Sequence, residues 1–344
     1  MTTSGVKLNN TQCDRAVGVL VGTAAGDALG AGYEFDEPMA ADYPVAMIGG
    51  GLGPFEPGEW TDDTSMAIAI AEVAATGADL RHEESLDSIV ERWHLWSLTA
   101  KDIGVQTSTV LSAAGQRGIS ARSAYEESAA FYAQNGYRTG NGSLMRTVPV
   151  ALAYLGDEIA LVEAARAVSE LTHFDPEAGD ACVLWCLAIR HAVLIGQLDV
   201  RVGLGHIDID RRRLWIARLA EAEASRPSAF SDDNGCVVVA LQAAWSAIAA
   251  TPVPVDDPAS EVFRVDHLRL ALVAAVRGGG DTDTVAAIAG GLLGAAYGAS
   301  AISSHWRLAL KGWPGLNTDG LVQLAEEIID NSEIARPKPP PRRG

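Results

Sequence analysis

Four glycines, Gly18, Gly22, Gly26 and Gly30, recur every fourth residue in a stretch whose remaining residues, Thr23 and Asp27 apart, are apolar. Four-residue spacing keeps them on one face of a helix. Each glycine costs a helix interior about 1 kcal/mol relative to alanine, so the stripe must be compensated elsewhere. A face without Cβ atoms lets something come close: the backbone of a second helix or, near Gly26 and Gly30, a ligand. The rest of the sequence supplies helices for that role. Apolar residues at helical spacing predict helices over residues 12–30, 62–76, 84–98, 123–134, 142–154 and 157–172. Further helices are predicted over 176–196, 210–224, 235–250, 260–276, 283–303 and 317–331. Alternating strand patterns with hairpin turns are nearly absent.

No composition shift or fixed-period repeat divides the chain, so it reads as one all-α domain over residues 1–336 with a compact multi-helix core. The tail PKPPPRRG, residues 337–344, is expected to be disordered and is assigned no function. Residues 36–60 form a predicted loop that is too long and too rich in Gly and Pro for a simple connection, which is common for functional loops. Residues 226–234 and 251–258 read as polar or Pro-rich connectors.

The 344 residues carry 26 Lys and Arg against 44 Asp and Glu, a net charge of −18. That balance argues against a nucleic-acid backbone as the main partner. Four scattered cysteines make no disulfide framework, and the default setting is reducing and cytoplasmic. Cys182 and Cys186 lie four apart in an apolar helical pattern and read as core rather than as a redox or metal pair. The N-terminus is polar, and the apolar run after Arg15 is broken by Gly and reaches Asp27, a weak signal-peptide pattern. Residues 285–302 are uncharged and of spanning length, but they are mostly Ala and Gly and follow an acidic segment. A buried central helix in a soluble protein is the better account.

The chemistry is concentrated in two acidic helix starts, Thr61-Asp62-Asp63-Thr64 and Asp281-Thr282-Asp283-Thr284. Each follows a Gly-rich loop and opens an apolar helix. One carboxylate suffices to cap a helix; two at each start exceed that need. Helices this apolar are buried, so their acidic ends can converge, where several carboxylates repel one another. Either they protonate or cations bind between them. Oxygen donors with Thr hydroxyls alongside, and no His or Cys nearby in sequence, favour Mg²⁺ or Mn²⁺ over Zn²⁺. Other motifs are missing: the glycines before Asp281 precede no P-loop lysine, and neither cluster has an EF-hand's Gly and distal Glu. HExxH, CxxC and GxSxG do not occur, and Pro54 stands where a dinucleotide fingerprint needs glycine.

Taken together, GDALGAGYEF (26–35), WTDDTSMA (60–67), GNGSLMRTVPVAL (140–152), THFDP (172–176) and RGGGDTDTVAAIAGGLLGAAYG (277–298) resemble the ADP-ribosylglycohydrolase family. The motifs occur in the family's order and span nearly the whole chain. The resemblance implies an all-α fold with a two-metal centre at converging helix N-termini, holding Mg²⁺ or Mn²⁺ beneath an ADP-ribose cleft. It implies metal ligands at Thr61, Asp62 and Asp63 and at Asp281, Asp283 and Thr284. Glu34 matches the family's mobile acidic residue, a candidate catalytic base. Asp102 falls where bacterial members carry an active-site Asp, although an N-cap or turn role also fits it. Gly140, Asn141, Gly142 and Ser143 match a substrate-contacting loop, for which a plain turn and cap is the alternative. His173 matches a substrate-side histidine, and Gly279 and Gly280, just before the second ligand set, are expected to contact substrate as well. Tyr137 is a candidate to stack on adenine, whereas Trp93 and Trp96 read as core or rim.

The implied function is metal-dependent hydrolysis of the bond between ADP-ribose and a modified side chain, foremost ADP-ribosylarginine. The partner is then an ADP-ribosylated protein, with no membrane. Another ADP-ribosyl linkage (to serine, nucleic acid or a small molecule), a non-catalytic ADP-ribose reader and a structural role stay open at this point.

Overall fold

The computed structural model describes residues 8–136 and 139–332. Their architecture is all-α. Helix α1 (Asn10–Gly30) starts from a reciprocal capping box between Asn9 and Gln12 and continues into a 3₁₀ turn, Ala31–Tyr33. There follow α2 (Asp62–Ala75), α3 (Glu83–Ser97), α4 (Val105–Arg117), α5 (Ala121–Asn135), α6 (Val148–Ala153) and α7 (Glu158–Glu170). Next come α8 (Pro176–Ile195), α9 (Ile209–Ala224), α10 (Val237–Ala250), α11 (Asp266–Arg277) and α12 (Thr282–Tyr297). The chain ends with α13 (Ser304–Ala309), a two-residue hairpin of β1 (Lys311–Gly312) and β2 (Leu316–Asn317), and α14 (Thr318–Asn331).

The partner of the glycine stripe is α12. A Cβ added to Gly18 would lie 2.3 Å from the carbonyl oxygen of Gly294, and one on Gly22 would lie 2.3 Å from that of Gly290. One on Gly26 would meet the Ala286 oxygen at 1.9 Å, and one on Gly30 the backbone of Asp283 at 2.5 Å. Gly290 and Gly294 answer from the other side, so the two helices touch backbone to backbone. The lost helix propensity is offset by this contact, and the end of the seam delivers Asp283 beside the C-terminal turns of α1. Both helices are buried: every residue from Thr282 to Ala296 is in the interior. Helices α8, α10 and α11 pack around α12. Two segments, Asn10–Tyr33 and Pro176–Ile195, are long and apolar enough to cross a membrane, yet 94% and 78% of their apolar windows are buried inside the protein.

Several predicted boundaries move. The helix expected over 142–154 divides into a 3₁₀ turn, Asn141–Ser143, and α6, whose first turn holds Pro149. The helix expected from 260 begins at Asp266, and the one expected to reach 303 stops at Tyr297, where Gly298 turns to φ 90°. The predicted connector over 226–234 contains a 3₁₀ segment, Pro227–Asp233. Helices α4 and α13 were not anticipated. Cys182 and Cys186 are fully buried on α8, and burial pushes both thiols up, as core cysteines. The tail 337–344 lies outside the described residues.

Candidate metal centre and ligand cavity

Helices α2 and α12 begin beside the C-terminal end of α1, so three segments deliver carboxylates to one place. Carboxylate oxygens of Asp27, Asp63 and Asp283 all lie within 4.8 Å of one another, and so do those of Glu34, Asp281 and Asp283. Asp283 is common to both groups. Neither Thr61 nor Asp281, the N-cap residues, caps its helix through its side chain. Capping of α2 comes instead from Asp27 on α1, which accepts from Thr61 N (2.9 Å), Thr64 N (3.0 Å) and Thr64 Oγ1 (2.6 Å). The Thr61 hydroxyl donates to Asp63 at 3.1 Å and also lies 3.4 Å from Asp283. Asp62 accepts weakly from Gly104 N at 3.3 Å. Thr284 N donates to the Asp283 carboxylate, while its hydroxyl faces Met145 at 4.0 Å.

Two like charges 4.8 Å apart repel by about 3 kcal/mol at an effective dielectric of 20. Burial, reinforced by these neighbours, holds Asp62, Asp63 and Asp283 well above the ordinary carboxylate range. Burial also raises Asp27 to about 6. Among the described residues no Lys or Arg forms an ion pair with any of these groups, and Asp63 Oδ1 is buried without a hydrogen-bond partner. An unpaired buried acceptor among crowded carboxylates is what divalent cations would satisfy, and an all-oxygen donor set suits hard ions. The residues therefore fit the implied metals.

Glu34 reaches this group from the turn after α1. Burial and then Asp281 raise its pKa to about 7, against a bond from Leu52 N at 3.2 Å. The chain there is held by backbone pairing: Phe35 N donates to Gly280 O (2.7 Å) and Gly280 N to Asp36 O (2.9 Å). Phe35, at φ 61°, keeps a left-handed conformation that a bulky residue rarely adopts. Gly279 and Gly280 are also left-handed, and a Cβ on Gly280 would sit 2.3 Å from Ser231 O. Their place is thus behind the Glu34 segment, away from the cavity lining expected of substrate-contacting residues.

Above the carboxylates lies a cavity of ≈ 550 Å³, lined among others by Glu34, Asp102, Gly140, Gly142, His173 and Asp283. Asp102 is half-buried, accepts from Ile103 N at 2.8 Å, and with Asp62 also borders a neighbouring cavity of ≈ 590 Å³. Asn141 donates to Asp281 at 2.7 Å, so it holds a carboxylate while lining the cavity. Ser143 is turned into the core, where Cys182 Sγ donates to it at 3.6 Å, and it does not line the cavity. Tyr137 lies outside the described residues. The predicted loop over 36–60 is pinned by Tyr33 Oη to Ala46 (3.1 Å) and by Arg277 to Tyr43 O, and its Leu52 lines the cavity.

Sequence reading missed Asp27, a lone acid in an apolar helix, although GDALG drew attention to its neighbours. It also missed Asn234, whose side chain accepts from Asp281 N (2.8 Å) and donates to Gly279 O (2.9 Å), joining loops far apart in sequence.

The ADP-ribosylglycohydrolase family model matches residues 8–337. The ADP-ribosyl-[dinitrogen reductase] glycohydrolase of Rhodospirillum rubrum is 31% identical over 300 residues, covering 85% of this chain and 89% of that protein. The ADP-ribosylarginine hydrolase Tri1 of Pseudomonas putida (strain GB-1) is 30% identical over 326 residues, covering 93% and 79%. A solved structure titled ADP-ribosylglycohydrolase-related protein complex matches with TM-score 0.68 and 27% identity, over 94% of this chain and all of that one.

Proposed function

The chain belongs to the ADP-ribosylglycohydrolase family, and on that premise we propose that it hydrolyses the N-glycosidic bond between ADP-ribose and an arginine side chain of a modified protein. The observation that carries the reading is that Glu34, Asp281 and Asp283 line one cavity and converge with the buried Asp27 and Asp63 beneath it, without a cationic partner among the described residues. An acidic floor also attracts a guanidinium, the charge match for an arginine adduct.

In this reading Asp27, Asp63, Asp281 and Asp283, with Thr61, Asp62 and Thr284 around them, would hold two divalent ions, Mg²⁺ or Mn²⁺. Such ions, when bound, supply Lewis-acid polarisation and orientation of the ribose oxygens. Glu34, at the cavity wall beside Asp281 and Asp283, takes a proton from the attacking water. Asp102, at the wall between the two cavities, faces the leaving-group side, where departure proceeds through an oxocarbenium-like state. Gly140 and Gly142 let the ligand approach their backbone, and Leu52 on the long loop covers it from solvent.

The test is release of free ADP-ribose from mono-ADP-ribosylated arginine and serine peptides, each with Mg²⁺, Mn²⁺ or EDTA. Metal-dependent release from the arginine peptide is expected. Release from serine alone would move the linkage, and binding without release from either would make the protein a reader. Asp283→Asn should lower turnover at least about 100-fold while leaving the fold intact, since it removes the carboxylate shared by both groups. Near-wild-type rates in that variant would sink the two-metal reading.

A further inference from the structure

Arg146 is fully buried and its guanidinium stacks 3.9 Å over the Trp93 ring. Its Nη2 donates to Thr172 Oγ1 at 2.6 Å, and the same oxygen lies 2.7 Å from His173 Nδ1. Arginine has donors only, so the first bond has one direction. Thr172 is buried too, and among the described residues the one acceptor within reach of its hydroxyl proton is His173 Nδ1. A proton on Nδ1 would strand that hydroxyl without an acceptor, the costly alternative in an interior. We infer that Arg146 and Thr172 are positioning residues that lock His173 in its neutral Nε2–H tautomer, presenting an N–H donor to an acceptor oxygen of the bound ligand.

The remaining geometry agrees. Nε2 has no hydrogen-bond partner among the described residues, and His173 lines the cavity. A Cβ on Gly142 would lie 3.2 Å from Nε2, and one on Gly140 would lie 3.6 Å from it, so the ring edge bearing Nε2 rests against the glycine loop at the cavity wall. Burial, with the Arg146 charge behind it, pushes the His173 pKa well below the usual histidine range, which disfavours the imidazolium. A nitrogen that carries its proton in this way binds a ribose or phosphate oxygen; it neither ligates a metal nor takes a proton from water. The ligand side of this inference rests on the cavity being an ADP-ribose site.

The tautomer can be read without ligand, metal or turnover. In the ¹⁵N-labelled full chain, which has seven histidines, imidazole nitrogen correlations identify His173 by its loss in His173→Gln. The wild type and Thr172→Ser should show the Nε2–H pattern throughout pH 6–8. Thr172→Val, which keeps the shape and removes the hydroxyl, should show mixed tautomers and bind free ADP-ribose about tenfold more weakly, as loss of one oriented hydrogen bond implies. A wild-type His173 protonated on Nδ1, or on both nitrogens at pH 7, overturns the inference even if Thr172→Val fails to fold. So does a Thr172→Val protein that keeps both the Nε2–H pattern and wild-type affinity. Failure of the wild type to bind ADP-ribose would count against the proposed function, while the tautomer would still be decided by the nitrogen shifts.

Discussion

Asp63 has no exposed surface and one oxygen without a partner, so its charge is the least supported in the centre. Asp63→Asn should therefore stabilise the cation-free protein at neutral pH by about 1–3 kcal/mol in chemical denaturation, by replacing a buried acid that must take up a proton to fold with a neutral amide. The same variant should lose most of its stabilisation by divalent ions. An equal loss of stability with and without ions would refute this reading of the centre. The pH dependence has a definite sign. Asp62, Asp63 and Asp283 are held above their ordinary range, Asp27 at about 6 and Glu34 at about 7. The folded state thus binds protons more tightly than the unfolded chain, and its stability is greatest below about pH 4 as far as these groups are concerned. That contribution is lost as pH rises through 6 and 7, so in EDTA the thermal midpoint should fall between pH 5 and 8, and divalent ions should flatten the slope. At this scale the two acidic helix starts were legible because paired carboxylates before an apolar run have no local purpose. Asp27 was not, since a single acid in a helix acquires its role only from α2 packed against it. Asn234 and Arg146 act across loops and through the core, and no sequence spacing records such contacts.

Helix α1 shows what periodicity can and cannot reveal about an element. The spacing of its glycines says that something comes within van der Waals range, and the structure supplies α12. The partner's identity needed three dimensions, because Gly290 and Gly294 read equally well as ordinary small residues of an Ala-rich helix. Gly22→Ala gains about 1 kcal/mol of helix propensity. Its new Cβ, however, would lie 2.3 Å from a backbone oxygen that no rotamer change can move, and overpacking of that kind costs about 3 kcal/mol. Net destabilisation of about 2 kcal/mol is expected in urea titration. Gly205→Ala, where nothing lies within 4 Å of the new atom, should be close to neutral and serves as the control. Most helices were legible from their apolar spacing. Helix α4 escaped because VQTSTVLSAAGQR mixes Thr, Ser and Gly into its turns, and only Thr107, Val110, Leu111 and Ala114 are buried along it. Packing, rather than propensity, makes that segment a helix.

For the whole molecule, ions bound only by the folded centre must raise its stability. Millimolar Mn²⁺ or Mg²⁺ should raise the thermal midpoint, with about 2.7 kcal/mol gained when the free ion reaches 100 times its dissociation constant, and EDTA should reverse the shift. A midpoint indifferent to both would place the carboxylates outside any metal site. The seam between α1 and α12 has a further consequence, in time rather than in space. Two backbones in direct contact at the centre of the core have no small local motion that parts them, so their amides should exchange with solvent deuterium only when the entire chain opens. Asp27 and Asp283 ride on those slow helices. Glu34 rides on a short turn and a loop pinned at a few points, whose amides should exchange sooner by local fluctuation. The fold thus mounts its ion cage on its slowest clock and the proton-accepting Glu34 on a faster one.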